Sequence, residues 1–500
     1  MKKKILLIIG LGVMLNYSCQ KDKLSPVSQT QVEETPAELY STPARVLSQL
    51  LGLYGAGVRG IGGFASFYSG RVQVYGDIKA ENWINTSGNQ ITGSNTWSQN
   101  VNTTSDEVLN IWQQGYYAIN NANQFIEGMA AYGTTTVNNP VLAASYVGEA
   151  KFVRALSYYT LLQLYARPYA DGNGARPGLP LRLTGNRVFA NFDMARSTVA
   201  QIYDQILKDL NEAETDVQLA YSTAALNTTR AHRNTVIALK VRVLLTMGRY
   251  ADVITEANKI VGTTTFTATA GTGPTGRVAN ALQPNIVNVF RTPYTTTESI
   301  FSCPFVAGTE NPGTQNALAY YFYQNGNTPG VSEFYLNPAG ALSDPNWKAT
   351  DARKTGLTFT NATNSRVFIT KFNSISPYPD WAPVLRYSEV LLSLAEAIAR
   401  TSGVDARAIA LLNAVRGRSD ATTVFTAANF VNGTALADAI IQERNIEFLG
   451  EGLRNIDLMR TLRTIPAKGS TVQAIPTTDP RYIWPISGNE LLYNRLIVNN

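Results

Sequence analysis

Four one-sided helical stripes crowd into residues 385–460, and they restrict what the chain can fold into more than any other stretch. Leu391, Leu394, Ala395 and Ile398 fall at i, i+3, i+4 and i+7, one face of an α-helix. After a break at Gly403, Ala408, Leu411, Leu412 and Val415 repeat the pattern. Ile440, Ile441, Ile446, Phe448 and Leu449 make a third, looser stripe. Gly450 and Gly452 end it, and a short fourth segment carries Ile456 and Met459. A helix that is apolar on one side must bury that side against a neighbour. Glu389, Glu396, Arg416, Glu443, Arg444, Glu447, Glu451 and Arg454 lie among these apolar residues. Opposite charges one turn apart, or across a helix pair, read as ion pairs of a scaffold, solvated or not, and not as catalytic groups.

Paired helices joined by short glycine turns imply an α-hairpin array of the tetratricopeptide (TPR) kind. Residues 230–261 are the clearest single unit. Ala238, Leu239 and Leu245 lead to a Gly248-Arg249-Tyr250 turn, and Ala251, Ile254 and Ala257 mark the second helix. Small residues at Ala238 and Ala257 let the two helices approach closely. One hairpin cannot bury its own face, so several must stack. Further helices are expected from Ser105 or Asp106 to about Tyr132, from Pro140 to before Pro168, and within 198–220. Trp112, Tyr158 and Tyr159 are expected to pack there. Gly55, Gly57 and Gly60 match a dinucleotide fingerprint only formally, because no β-branched strand precedes them; a flexible turn is expected.

From Gly262 to about Pro383 the helical period disappears into Thr, Gly, Pro and Asn, with short strand-like runs at IFSCPFV and RVFITKF. The expected fold is therefore mainly α: a TPR-like helical-hairpin scaffold with a loop-rich, irregular insert containing short strands. The scaffold parts are 44–261 and 384–500, packed in one body, and the insert is 262–383.

Composition excludes several functions. Charged residues make up only 16% of the chain, and its single histidine, His232, has arginines on both sides in RAHRN. No G-x-S-x-G elbow accompanies it, so a Ser/His/Asp triad is not expected. Of two cysteines, Cys19 directly follows the leader and is accounted for below as an acylation site, which leaves Cys303 without an intramolecular partner and no zinc spacing. The net charge is +6, but Lys2, Lys3 and Lys4 fall in the leader; without them 39 basic residues face 36 acidic ones, a net of +3. No basic run of the nucleic-acid type occurs. A surface glycosidase stays open as an alternative, since sequence does not report the separation of two carboxylates.

The first 18 residues read as an export signal: three lysines, the apolar run ILLIIGLGVML, and Ser18 before Cys19. The run is too short to span a bilayer as a helix. The alternative is an N-terminal core helix with an incidental cysteine. Leu15-Asn16-Tyr17-Ser18-Cys19 resembles a bacterial lipobox, which implies cleavage before Cys19 and acylation of its sulfur. Residues 19–43 would then be a lipidated tether, rich in Ser, Thr, Pro and Glu.

Several blocks together are similar to one family. LRYSEVLLSLAEA, LLNAVRGRS, IIQERNIEFLGEGLRNIDLMR, the tail WPISGNELLYNRLIVNN, and GEAKFVRALSYYTLLQLYARPY further upstream resemble the SusD/RagB-like nutrient-binding lipoproteins. The chain departs from the family pattern at Gln442, Leu453, Asn455 and Arg495. The resemblance implies a non-enzymatic protein, without cofactor, that lids a TonB-dependent (SusC-like) outer-membrane transporter. It implies an oligosaccharide or peptide ligand, a lipid anchor facing the cell exterior, and no nucleic-acid partner. The remaining alternative is a TPR adaptor with no small ligand.

A sugar presents an apolar ring face that suits a flat aromatic, with Asn, Asp, Gln or Arg nearby for its hydroxyls. Aromatic residues make up 10% of the chain, and many must be core. Those in Gly/Asn/Thr loops have fewer packing partners, and binding residues concentrate on loops set on a scaffold. The expected ligand-facing rings are therefore Trp83, Trp97, Tyr320, Tyr321, Tyr323 and Trp347.

Overall fold

A computed structural model describes residues 35–60, 65–188, 192–262, 277–324 and 332–500. The expected signal peptide, Cys19, most of the tether, Gly62-Gly63 and the run FTATAGTGPTG lie outside the described residues.

Helix α1 (Pro43–Gly52) does not stop at the glycine-rich segment but runs on as a π-helix over Leu53–Arg59. The expected flexible turn is thus corrected. Gly57 packs against Ala118, where an added Cβ would already be in contact at 3.6 Å, and Gly60 ends the helix at φ +83°. Helix α2 (Arg71–Ile78) is buried along most of its length. Helix α3 (Asp106–Gly128) starts at Ser105, whose hydroxyl accepts from the Asn102 amide instead of capping the helix. Helix α4 (Pro140–Tyr165) is capped by Asn139, and α5 (Val199–Asp216) by a Thr198/Gln201 capping box. Trp112, Tyr158 and Tyr159 are core residues.

The TPR-like unit appears as α6 (Arg233–Thr246) and α7 (Tyr250–Ala257), with Gly248 turning at φ +71° and Ala238 and Ala257 both buried. In the insert, the short helix α8 (Leu318–Phe322) is followed by α9 (Ala352–Leu357). Helices α10 (Tyr387–Ser402), α11 (Ala406–Ser419), α12 (Gly433–Glu447) and α13 (Arg454–Arg460) follow the four stripes of the sequence. A last short helix, α14 (Gly488–Tyr493), lies in the tail. Hairpin packs on hairpin: α3 on α4, α4 on α5, α6 on α7, α7 on α10, and α10 on both α11 and α12. No described helix is long and apolar enough to cross a membrane.

Among the described residues, three two-stranded antiparallel ladders tie the irregular parts together. Strand β1 (Trp83–Asn85) pairs with β3 (Phe334–Leu336), joining the region before α3 to the insert. Strand β2 (Ser299–Cys303) pairs with β6 (Ala382–Arg386), with Cys303 opposite Ala382. Strands β4 (Thr358–Thr360) and β5 (Val367–Ile369) form the third ladder. One connected apolar core reaches from Tyr40 to Ile497.

The insert is welded by charge to β6, α11, α12 and the turn after α12. Arg353, Lys371, Arg386, Arg416 and Arg418 interlock with Glu298, Asp351, Glu443, Glu447 and Glu451, and none of these side chains is more than 5% exposed. Burial alone would push the Glu447 carboxyl up; Arg418, Arg386, Arg353 and Lys371 outweigh it and hold the group well below the usual carboxylate range. The charges in the helical stripes are therefore ion-paired and buried, not solvated.

His232 is buried at the start of α6, where its Nδ1 accepts from the Asn234 amide at 3.2 Å. Burial pulls its pKa down to about 4. The unfolded chain takes a proton below about 6.5 that the native site refuses, so stability falls as pH drops from about 6.5 to 4, by about 3 kcal/mol. His232→Asn keeps a capping acceptor without this proton. Urea midpoints at pH 7 and pH 4.5 are expected to lie closer together in the variant than in the parent chain; an equal gap refutes the assignment.

Candidate functional site

Tyr294 lies ahead of β2 and Trp381 immediately ahead of β6; these are opposite ends of the antiparallel ladder, with Ser299 facing Arg386 and Cys303 facing Ala382, so the two rings meet through loops beyond the ladder. Their rings stack, with centroids 5.6 Å apart and planes inclined by 18°. Both are half-buried, which leaves ring surface open to solvent. The Trp381 indole N–H donates to the Phe305 carbonyl at 3.1 Å, and the Tyr294 hydroxyl donates to Asp380 Oδ1 at 3.1 Å. Asp380 is itself fixed by the backbone N–H of Ser374 at 2.8 Å and its hydroxyl at 2.9 Å. Burial raises the Asp380 carboxyl above the ordinary aspartate range, and these donors only partly offset it.

A third ring, Tyr378, lies three residues before Trp381 in the same loop and meets Tyr320 edge-on at 6.2 Å. Tyr294 and Tyr378 both occupy the left-handed region, at φ +63° and +59°. For a ring-bearing residue that conformation costs on the order of 1 kcal/mol or more, and such outliers cluster at functional sites. Arg291 donates to the carbonyls of Phe290, Thr370 and Lys371. Burial holds its guanidinium below the usual arginine range, against the fields of Asp380, Tyr294 and Tyr323. The charged groups are thus committed to the protein. What the site offers a ligand is ring surface, edged by Thr292, Ile375 and Ser376, all exposed.

The expected site residues divide. Trp83, Tyr320, Tyr321 and Trp347 are buried, which corrects their assignment to a ligand surface. Trp83 stacks on Phe322 at 4.1 Å, because the β1/β3 pairing turns it inward. Tyr321 is fully enclosed and donates to the Gln315 carbonyl; Tyr320 donates to Glu333 at 3.1 Å. Trp347 is capped by the Lys354 ammonium, 5.0 Å from its centroid. Trp97 is half-buried and tied down, its indole N–H donating to the Trp83 carbonyl at 2.6 Å. Tyr323 is half-buried and contributes to the field around Arg291. Tyr294, Tyr378 and Trp381 were not among the expected rings. Their signal was present as Pro-Tyr in both RTPYTTT and SPYPDW, because proline cannot join a ladder and keeps its neighbour in a turn.

Residues 63–245 match the family described as "Starch-binding associating with outer membrane", and residues 314–500 match the SusD family. A SusD superfamily protein of Bacteroides fragilis shares 34% identity, covering 92% of this chain and 99% of its own, with a TM-score of 0.80. A "Laminarin binding SusD-like protein" shares the fold at 18% identity and a TM-score of 0.70, covering 92% of this chain and 99% of its own. Among curated relatives, a SusD-like protein of Formosa agariphila is 23% identical over 85% of this chain and 86% of its own length.

Proposed function

The chain belongs to the SusD/RagB family, and on that premise we propose that it is a non-enzymatic, surface-exposed saccharide-capturing protein. The observation that carries the reading is the stacked, half-buried pair of Tyr294 and Trp381. Flat rings without free charges suit neutral sugar rings, which dock through their C–H faces. The relative described as binding laminarin supports a neutral glycan as ligand class. A glycosidase would need two facing carboxylates; Asp380 is instead engaged by Ser374 and Tyr294.

The test is calorimetric titration of the purified protein with maltoheptaose, laminarihexaose, cellohexaose and xylohexaose, followed by chromatography of each sugar. Saturable binding of at least one, returned intact, is expected. Released product would make the protein an enzyme, and no binding by any would remove neutral glycans as the ligand class.

In this reading the helical hairpins rest on a TonB-dependent transporter barrel, and the protein closes over its mouth after capture. The anchor is Cys19, whose acyl chains hold the protein in the outer membrane. Cys19→Ala is expected to move the protein from the membrane pellet to the soluble fraction on cell fractionation; unchanged pelleting contradicts the anchor.

A further inference from the structure

A concavity elsewhere in the fold shares no lining residue with the Tyr294/Trp381 platform. It is a groove of about 770 Å³ between α3, the loop that follows α4, and α14 with the tail. Its size falls within the range of small-molecule sites.

Three features set its chemistry. The first is the apolar lining, which is almost all ring: Trp112, Tyr116, Tyr117, Phe192 and Tyr493, with Ile119 as the one aliphatic. A groove built for an amphipathic peptide helix takes aliphatic anchors instead. Trp112 is buried in the floor, Tyr116, Tyr117 and Phe192 are half-buried, and Tyr493 is 72% exposed.

The second feature is cancelled charge. Arg182 and Arg495 face Asp193 and Glu490. Glu490 accepts from Arg182 at 3.0 Å, Asn494 at 2.7 Å and the Trp112 indole at 3.3 Å. Asp193 accepts from the Arg495 backbone amide at 2.7 Å. An anionic or cationic ligand would find no net countercharge.

The third is a set of unused amides. Asn120 is spent, exchanging two hydrogen bonds with the Asn186 backbone. The side chains of Gln113 and Asn489 and the Tyr493 hydroxyl line the groove and have no partner among the described residues. An amide donates and accepts, which matches a sugar hydroxyl that does both. This face of α3 is unusual for a solvent-facing helix, because residues 108–126 contain no Asp, Glu, Lys or Arg.

We propose that this groove is a second saccharide site, taking a short neutral oligosaccharide along the Trp112–Asn120 face of α3. The inference rests on the family-level reading of saccharide capture, but not on the platform being occupied. The helical rise of 1.5 Å per residue places Trp112 and Asn120 about 12 Å apart along the axis, room for more than one ring.

The test uses the full chain and the four oligosaccharides named above. In a Trp381→Ala/Tyr294→Ala background, the binding that remains is expected to fall at least tenfold when Gln113→Ala, Asn489→Ala and Tyr493→Ala are added. Hydrogen exchange with sugar present is expected to slow in 112–123 and 488–495. Tyr493 is exposed and Gln113 and Asn489 are unbonded, so the thermal midpoint should hold, and circular dichroism checks it. If the parent chain binds and the platform variant retains nothing, the groove is not a site although the family reading stands. Residual binding indifferent to the three groove substitutions also overturns the proposal. If the parent chain binds none of the four, both fall together.

Discussion

Arg386→Ala is expected to destabilise the protein by about 3–5 kcal/mol, read as a lower urea midpoint at pH 7. Arg386 donates to Glu451 at 2.7 and 2.9 Å, to Glu298 at 2.6 Å and to Glu447 at 3.0 Å. Its guanidinium also lies over the rings of Phe448 and Phe290, at 4.9 and 5.4 Å. Removing it leaves three carboxylates buried without the guanidinium they share. Breaking one side of a buried ion pair costs far more than the intact pair contributes, because the stranded charge keeps its desolvation penalty. Arg418, Arg353 and Lys371 remain and soften the loss without supplying a second contact to every oxygen. The control is Lys208→Ala, which removes an exposed i,i+4 pair with Glu212 and should cost under about 1 kcal/mol. Equal midpoint shifts in the two variants would show that the network does not hold the insert.

Trp381→Ala/Tyr294→Ala is expected to weaken glycan binding about 100-fold, which corresponds to about 3 kcal/mol for two stacked aromatic anchors. Neither ring is core: both are half-buried, and the loop that carries Trp381 is fixed independently by β6 and by Ser374 on Asp380. The melting midpoint should therefore move little. Affinity within twofold of the parent chain would mean that the platform is not where sugar docks.

The helical frame was legible because its information is local. The apolar period marked α10, α11 and α12, and glycine turns at Gly248 and Gly403 separated the members of each pair. What could not be read was anything set by distant pairing. Arg353 finds Glu447 across 94 residues, and Arg242 finds Glu389 across 147, so the charges could be named as ion pairs but not matched or placed. Four of the six ring assignments failed for the same reason. Leu318–Phe322 is apolar all round, and only the fold shows that all five residues are buried. Trp83 looked like a loop residue until β3 paired with it. The platform rings had a local signal, proline beside tyrosine in two separate loops, but their meeting depends on contacts between loops distant in sequence, the ring stack and the Tyr294–Asp380 hydrogen bond. The groove had a weaker signal in the uncharged stretch of α3.

A crystal structure of the protein with the tightest-binding of the four oligosaccharides decides whether sugar is held on the Tyr294 and Trp381 rings. A pyranose ring is expected in van der Waals contact with the open face of Trp381 or Tyr294. Sugar bound at full occupancy with neither ring, nor Tyr378, within contact would contradict it.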